Sequence, residues 1–344
     1  MEKGPCPERA EGGSRMSAKP KVAFYWCASC GGCEETVVDL NEDILKVVDA
    51  VDIVLWPVAL DFKRKDIEAL ADGEIAVSFI NGAVRLSEQE EWVELLRQKS
   101  GLVVAFGSCA HLGGIPGLGN VTDREGVFQR KYTAVPTADS ADRVFPQVEV
   151  TVNGADAGHS YELELPSFYD TVKTLDQAID VDYYLPGCPP PPNLVWDAVV
   201  AILEGKLPEK GAVLAPNKAL CDTCPRNETK PDEFTITDFK RVATSTPDAE
   251  ECFLTQGYIC LGPATRSGCG ERCISAHMPC RGCFGPPDGI ADQGAKILSA
   301  VASIVGFTDQ AGIEEAIGAI ADPLGTFYRF SLPASLLGRT RIAS

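Results

Sequence analysis

The sequence has no apolar run near the roughly 20 residues that a membrane-spanning helix requires, so we expect no membrane span. Residues 1–20 are polar and rich in Gly and Pro, and they contain neither an apolar core nor two adjacent arginines. They therefore do not match an export signal. We expect a flexible extension over residues 1–20, with Met16 as an alternative start, and a cytoplasmic protein.

Positive charge and nucleotide-binding motifs are also scarce. Lys and Arg number 31 against 49 Asp and Glu, which gives a net charge of −18. Nucleic acids and anionic membranes attract basic surfaces, so neither is an expected partner. There is no Walker motif and no Gly-x-Gly-x-x-Gly turn. The Gly-rich stretch 113–119 lacks that spacing and contains a proline, so we interpret it as a docking loop beside Cys109.

Histidine occurs only three times, at positions 111, 159 and 277. His277 lies between Cys273 and Cys280 and is in principle a metal ligand. Cysteines are numerous enough to complete each nearby site, so we expect His277 to support the ligands instead of binding metal.

Cysteine is abundant, with fourteen in the chain. In the reducing cytosol, clustered cysteines bind metal more often than they form disulfides. Eight of them lie between positions 221 and 283, so the chain divides into a cysteine-sparse part and a cysteine-dense part. Cys6 lies in the polar extension, and we expect no role for it.

Short apolar segments alternate with helical patterns in the cysteine-sparse part. The predicted strands cover residues 22–26, 51–56, 74–80, 102–106 and 181–185. Apolar residues at helical spacing predict a helix over 34–50, and Ser87 with Glu90 predicts a capping box before a helix over 88–99. Strands that alternate with helices predict an α/β fold with a doubly wound parallel sheet, which we place at residues 21–205.

Cysteines directly follow three of these predicted strands. The first strand is followed by Cys27, Cys30 and Cys33, the fourth by Cys109, and the fifth by Cys188. Ligands of doubly wound sheets bind at the carboxyl ends of the strands, which form one edge. We therefore expect these distant cysteines to converge.

The spacing Cys27-x2-Cys30-x2-Cys33 resembles the start of a bacterial ferredoxin motif. The fourth cysteine of that motif would fall at Val37, so remote cysteines must complete the site. Two local and two remote thiolates suit a 4Fe–4S cluster. Cys27 competes with Cys30 and Cys33 for the local places, and a small buried side chain is its favoured role.

We interpret residues 206–220 as a linker, and the region beyond them is rich in Gly, Pro and Cys. Its cysteines are Cys221, Cys224, Cys252, Cys260, Cys269, Cys273, Cys280 and Cys283. We expect little regular structure and little buried apolar surface there, so bound metal would supply the ordering free energy. Eight thiolates make two four-thiolate sites. Iron–sulfur clusters are favoured because the two Cys-x2-Cys pairs lie too far apart for a zinc ribbon, although zinc and unligated thiols remain alternatives.

The residues around the cysteines resemble the small subunit of nickel–iron hydrogenases. The resemblance rests on Trp26-Cys27-Ala28-Ser29-Cys30-Gly31-Gly32-Cys33-Glu34, Gly107-Ser108-Cys109-Ala110 and Pro186-Gly187-Cys188-Pro189-Pro190, and it covers roughly residues 21–335. The related subunit of respiratory complex I shares the first domain but carries one cluster and lacks the eight later cysteines. The chain is most similar to the methyl-viologen-reducing (deazaflavin-non-reducing) type, which partners heterodisulfide reductase.

This resemblance implies a flavodoxin-like sheet followed by an irregular, cluster-binding domain at residues 206–344, with three 4Fe–4S clusters in all. The proximal group would be Cys30, Cys33, Cys109 and Cys188, the medial group Cys269, Cys273, Cys280 and Cys283, and the distal group Cys221, Cys224, Cys252 and Cys260. Two positions depart from the family pattern. Cys221 stands where many members have His, and Cys273 stands where many have Pro beside a three-iron cluster.

The resemblance also implies a function in electron transfer, with no acid–base chemistry in this chain. Hydrogen would be split at a nickel–iron centre in a separate large subunit, and electrons would leave through the proximal, medial and distal clusters in that order. The acceptor would be a further subunit, such as one linked to heterodisulfide reductase. Alternatives are an electron-transfer subunit of a formate- or sulfur-linked complex and a zinc-stabilised structural protein.

Two further segments carry weaker signals. Residues 309–321 predict a helix, and the apolar residues 327–333 that follow it suggest a C-terminal element for packing or subunit docking. Residues 120–175 contain no motif that indicates a chemical role.

Overall fold

The computed structural model describes residues 19–137, 139, 144–154, 158–306 and 309–338. Nearly all of the expected extension over residues 1–20 lies outside these residues, as do Cys6 and Met16. Among the described residues, no helix combines the length and apolar character needed to cross a membrane.

The regular elements of the described chain are short. The strands are β1 (Lys21–Trp26), β2 (Asp52–Leu55), β3 (Ile75–Asn81), β4 (Val84–Leu86), β5 (Ser100–Phe106), β6 (Glu149–Asn153), β7 (Ser160–Glu164), β8 (Phe168–Lys173) and β9 (Tyr183–Leu185). The α-helices are α1 (Gly32–Val38), α2 (Asp43–Ala50), α3 (Arg64–Glu68), α4 (Ser87–Lys99), α5 (Ser108–Leu112), α6 (Arg124–Tyr132), α7 (Pro192–Leu203), α8 (Arg272–Ser275), α9 (Gln293–Ala302), α10 (Gln310–Ala319) and α11 (Pro323–Phe327).

Five strands form a parallel sheet in the order β2-β1-β3-β5-β9. Phe79 of β3 lies opposite Phe24 of β1 on one side and Val104 of β5 on the other. All five predicted strands are present within two residues of their expected bounds. The predicted parallel sheet is therefore confirmed.

Both faces of this sheet are covered, because neighbouring residues of each strand point to opposite sides. Val22 and Phe24 pack with α1, α2 and α7, whereas Ala23 and Tyr25 pack with α3 and α4. The ring centroids of Phe24 and Trp56 lie 4.9 Å apart on the first face. A central strand buried on both faces and helices on each side confirm the doubly wound architecture.

The predicted helix over 34–50 is in fact two helices. The first, α1, ends at Val38, and α2 begins at Asp43. Between them Asn41 adopts a left-handed backbone with a φ of 54°. Asparagine tolerates this conformation better than most side chains, so the break occurs at a residue suited to it. Apolar residues keep helical spacing on both sides of Asn41, so the sequence did not reveal the break between the two helices.

The predicted cap of the next long helix is also wrong. Ser87 is the first residue of α4 and not its cap. The side-chain oxygen of Gln89 accepts hydrogen bonds from the backbone N–H groups of Arg85 and Leu86, at 2.9 and 3.0 Å. Gln89 thus satisfies donors at the helix start that Glu90 was expected to satisfy.

The cysteine-dense region contains a hydrophobic core, contrary to expectation. Its members come from segments far apart in sequence, and they include Leu220, Phe253, Tyr258, Leu261, Ile297, Phe327 and Leu332. Helix α9 and the C-terminal tail supply much of this core, which local composition did not indicate. Burial of apolar side chains therefore supplies ordering free energy in this region, which composition had led us to expect from metal alone.

The predicted linker and the C-terminal tail both pack against the sheet domain. Val213 forms a parallel bridge with Tyr184 of β9, so residues near 213 extend the sheet edge. Pro333 of the tail lies over Gly113 and Gly117, where an added Cβ would come closer than 3.0 Å to the proline ring. Pro333 of the tail thus covers Gly113 and Gly117 of the loop that we interpreted as a docking loop, whereas Ile115 between them stays exposed.

Asp182 joins β5 to the segment that follows α7. Its carboxylate accepts hydrogen bonds from Arg97 Nη1 at 2.7 Å and Val103 N at 2.8 Å, and it also pairs with Lys210. Burial alone would raise the pKa of Asp182, but the hydrogen bonds from Lys210, Arg97 and Val103 outweigh it and hold the pKa below its usual range.

We predict that Asp182→Asn lowers the free energy of unfolding by about 2 kcal/mol at pH 7, because charged hydrogen bonds are lost. The stabilisation by the ionised carboxylate is present above its unfolded pKa of roughly 3.9 and disappears as the pH falls through its lowered folded pKa. Urea unfolding at several pH values measures both effects. Asp180→Asn, an exposed neighbour, is the control, and equal stability of the two variants would contradict the prediction.

Candidate metal centres

The sheet edge brings the proximal group together. Cys30 and Cys33 lie in the loop after β1 and at the start of α1, Cys109 lies in α5 directly after β5, and Cys188 follows β9. Since β1, β5 and β9 are parallel strands of one sheet, all four residues follow its carboxyl ends. The convergence expected from the sequence is what the structure shows.

The thiols of this group are close enough to influence one another. Burial raises the pKa of Cys33 well above its usual value, and the neighbouring charges of Cys109, Cys188 and Cys30 raise it further. Burial followed by the charges of Cys188 and Cys30 raises the pKa of Cys109 to about 12. A cation bound among the four thiols would reverse these shifts and favour the thiolates, releasing protons as it binds.

Two glycines let the backbone approach these sulfurs. An added Cβ on Gly107 would lie closer than 3.0 Å to Cys33 Sγ, and one on Gly114 would lie equally close to Cys109 Sγ. Both glycines have positive φ, 86° and 57°, which other residues rarely adopt. A side chain at either position would therefore collide with a sulfur of the proximal group.

A buried carboxyl group beside the proximal group was not anticipated. Glu34 is 2% exposed and accepts hydrogen bonds from Trp56 Nε1 and Asn81 Nδ2. Burial raises the pKa of Glu34, and the two hydrogen bonds oppose that rise. These contacts tie the start of α1 to Asn81 of β3 and to Trp56 directly after β2, so they fix the position of Cys33. Glu34 directly follows Cys33, the last cysteine of the motif, and this position is the sequence signal that could have revealed the buried carboxyl group.

The medial group lies in and around α8. Cys273 is exposed within this short helix, whereas Cys280 is buried. Burial raises the pKa of Cys283 to about 12, with further contributions from the charges of Cys188, Cys273 and Cys269. Cys283 is therefore electrostatically close to both the medial group and the proximal Cys188.

The distal group gathers four cysteines from three segments. An added Cβ on Gly262 would lie 3.2 Å from Cys221 Sγ and 3.6 Å from Cys260 Sγ, so these two sulfurs are at most about 6.8 Å apart. Burial raises the pKa of Cys221 to about 12, and the charges of Cys260, Cys252 and Cys224 contribute.

Contacts link the three groups in the order proximal, medial, distal. The hydroxyl of Ser108, beside the proximal Cys109, donates to the backbone carbonyl oxygen of Cys283 in the medial group. On the other side, the backbone N–H of the medial Cys280 donates to Cys260 Sγ of the distal group at 3.3 Å. The medial group thus adjoins both of the others.

The donor sets fit iron–sulfur clusters, which are typically held by four cysteine thiolates. In the described part of the chain, no three His, Cys, Asp or Glu side chains are arranged to hold a single metal ion. A larger group whose thiolates bind at separate corners needs four thiols, and each group supplies four.

The remaining cysteine and histidine candidates play other parts. Cys27 is 5% exposed within the hydrophobic core, where burial raises its pKa, as suits its favoured structural role. His277 Nδ1 accepts a hydrogen bond from Arg226 at 3.0 Å, consistent with a supporting position. His111 stacks on Tyr184 with centroids 4.7 Å apart, and burial lowers the pKa of His111 to about 4.

Comparison with known proteins agrees with this arrangement. The family model described as NADH ubiquinone oxidoreductase, 20 Kd subunit, matches residues 30–202, just over half of the 344 residues. The F420-non-reducing hydrogenase iron-sulfur subunit of Archaeoglobus profundus is 40% identical over 93% of this chain and 98% of that protein. An F420-non-reducing hydrogenase subunit of Methanothermobacter thermautotrophicus is 36% identical over 94% of this chain and 97% of that protein.

A solved structure extends the comparison to the fold. The [NiFeSe] hydrogenase structure from Desulfovibrio vulgaris Hildenborough aligns with 80% of this chain and 96% of that chain, with a TM-score of 0.50 and 18% identity. This likeness concerns the fold, whereas the two relatives at 40% and 36% identity place the chain in the class of hydrogenase subunits. The chain belongs to the family of F420-non-reducing hydrogenase iron–sulfur subunits. It is thus a subunit of an oxidoreductase complex, and the resemblance found in its sequence is confirmed.

We predict that Gly107→Ala displaces Cys33 and lowers the iron content of the purified chain by roughly one third, the share expected for one of the three cysteine groups. The added methyl group has no free space beside Cys33 Sγ. Iron and protein assays measure the loss. Gly73→Ala is the control, because Gly73 also has a positive φ, of 73°, but has nothing within 4 Å of the added Cβ. Equal iron content in both variants would remove Gly107 from the site.

Proposed function

We propose that this chain relays electrons from the nickel–iron site of a separate large subunit, through three 4Fe–4S clusters, to an acceptor subunit linked to a partner such as heterodisulfide reductase. Residues 21–205 would hold the proximal cluster, and residues 206–344 would hold the medial and distal clusters. The order in which contacts link the three thiol groups carries this proposal. Its links are the contacts of Ser108 with Cys283 and of Cys280 with Cys260.

The chain's own residues would set the conditions for this transfer. The clusters would supply reversible one-electron chemistry, at potentials that depend on burial, charge and hydrogen bonds to sulfur. Cys33, Cys260 and Cys280 are each less than 8% exposed, so water is largely kept from their sulfurs. The N–H of Cys280 on Cys260 Sγ is one of the hydrogen bonds that favour the thiolate form.

The exposed rim of the proximal group suits the large subunit. Cys30 and Cys188 are exposed, and Trp26, whose ring lies against Gly31 next to Cys30, is 40% exposed. Ile115, in the loop after Cys109, is 48% exposed. Large apolar side chains beside two exposed thiols form a surface that a partner would be expected to cover. Electrons from the large subunit would enter here, and the distal group, the last in that order, would face the acceptor.

A cytoplasmic location is part of this proposal. The thiols of all three groups must stay reduced until they bind iron, and the cytosol maintains that state. Burial raises the pKa of most of these thiols, so iron loading would proceed with proton release.

Cys273→Pro should convert one cluster to a three-iron form, because the medial group would keep only three thiols. Cys273 lies near the start of α8, where proline fits the backbone better than in a helix interior. Electron paramagnetic resonance of the oxidised complex detects the new species. Cys27→Ala is the matched control and should leave the spectrum unchanged, since Cys27 belongs to no group. A Cys273→Pro spectrum identical to that of the unaltered chain would remove Cys273 from the medial site.

Metal analysis of the purified chain tests the cofactor itself. We expect roughly twelve iron atoms per chain, equal inorganic sulfide and a brown colour, as three 4Fe–4S clusters require. Zinc without colour would instead support a structural protein with four-thiolate zinc sites. Loss of iron to a chelator should lower the thermal stability, because the groups join segments far apart in sequence.

A further inference from the structure

A basic pocket opens beside the medial and distal groups, in a chain whose net charge is −18. Its volume is about 210 Å³, and its lining includes the four cations Lys240, Arg241, Arg281 and Arg329. Asp322 is the sole carboxylate among its lining residues. Such a concentration of positive charge is contrary to the overall composition and calls for a physical cause.

The carboxylate of this pocket is already engaged. Asp322 Oδ1 caps helix α11 by accepting a hydrogen bond from Gly325 N at 2.9 Å. Arg329 Nε donates to the backbone carbonyl oxygen of Gly325 at 2.9 Å, a neutral acceptor. Ion pairs between arginine and a carboxylate in the described chain involve Arg64, Arg97 and Arg266, none of which lines the pocket.

Arg281 and Arg329 line this pocket together, and both are partly buried. Two guanidinium groups that share a partly enclosed space and have no carboxylate ion pair favour a bound anion. Arginine is well suited to hold carboxylate or phosphate, through paired N–H donors.

We propose that this pocket is a binding site for a small oxyanion, a carboxylate or a phosphate, held between Arg281 and Arg329. Lys240 and Arg241 are exposed at the same pocket and would attract the anion. The volume is below the 300–1,000 Å³ of sites for drug-sized ligands, so the occupant is small. The site lies against the cysteine segments, because Arg281 directly follows Cys280 and Ile259 directly precedes Cys260. It does not depend on which metal the thiols bind.

Isothermal titration calorimetry of the intact hydrogenase complex tests this site, with inorganic phosphate and succinate as separate probes in a zwitterionic buffer. We expect saturable binding of at least one probe. Arg329→Gln should weaken that binding at least about tenfold, because a charged hydrogen bond is removed. Lys240→Gln, at the exposed part of the lining, should have a smaller effect. Arg130→Gln is the control, since Arg130 is exposed on α6, which supplies no lining residue.

Arg281→Gln should abolish the same binding, and its iron content is measured alongside because Arg281 adjoins Cys280. If Arg281→Gln loses iron, the anion affinity of Arg329→Gln, measured at normal iron content, tests the proposed site by itself. Binding of phosphate only, or of succinate only, supports the site and identifies the class of anion. Failure of both probes to bind the unaltered complex would overturn the proposal, as would equal affinities in Arg329→Gln and Arg130→Gln.

Discussion

The close approach of bare backbone to sulfur at the carboxyl edge of the sheet is the constraint on which the proximal site depends. Cys33 comes from the segment after β1, and Gly107 comes from the end of β5, yet an added Cβ on Gly107 would press on Cys33 Sγ. Parallel strands bring these segments to one edge. The positive φ of Gly107, which glycine adopts readily, lets the backbone turn from β5 into α5 beside the sulfur. Cys109 and Cys188 reach the same place because β5 and β9 are paired.

The same edge anchors the cysteine-dense region. Ser108, next to Cys109, donates to the carbonyl oxygen of Cys283, and Leu112 of α5 packs beside Gly285. The tail closes this junction from the other side, since Gly114 N donates to Phe330 O at 3.0 Å. The residues that place the proximal thiols therefore also place the medial ones. A relay needs short, fixed separations, and shared anchoring of neighbouring groups provides them.

Sequence patterns predicted the sheet and the convergence of cysteines at its edge because both depend on strong local signals. Buried parallel strands are continuous apolar runs, and cysteines directly after them must fall at one edge. What the sequence did not reveal depends on contacts between distant segments. The core that joins Phe253 to Ile297 and Phe327 is one example. The break at Asn41 was hidden for another reason, because apolar residues keep helical spacing on both sides of it.

The buried Arg226 beside the distal group bonds to neutral acceptors and not to a carboxylate. Arg226 is 4% exposed, yet its Nη1 bonds to the backbone oxygens of Asp248 and Glu251, at 2.8 and 2.9 Å. Its guanidinium also lies 4.1 Å from the ring centroid of Phe253. Neutral acceptors satisfy the N–H groups without cancelling the charge, which a carboxylate would do. Burial raises the pKa of Cys224, and the uncancelled charge of Arg226 opposes that rise. The acidic chain thus keeps a positive charge beside Cys224, and that charge favours the thiolate form that binding of a metal requires.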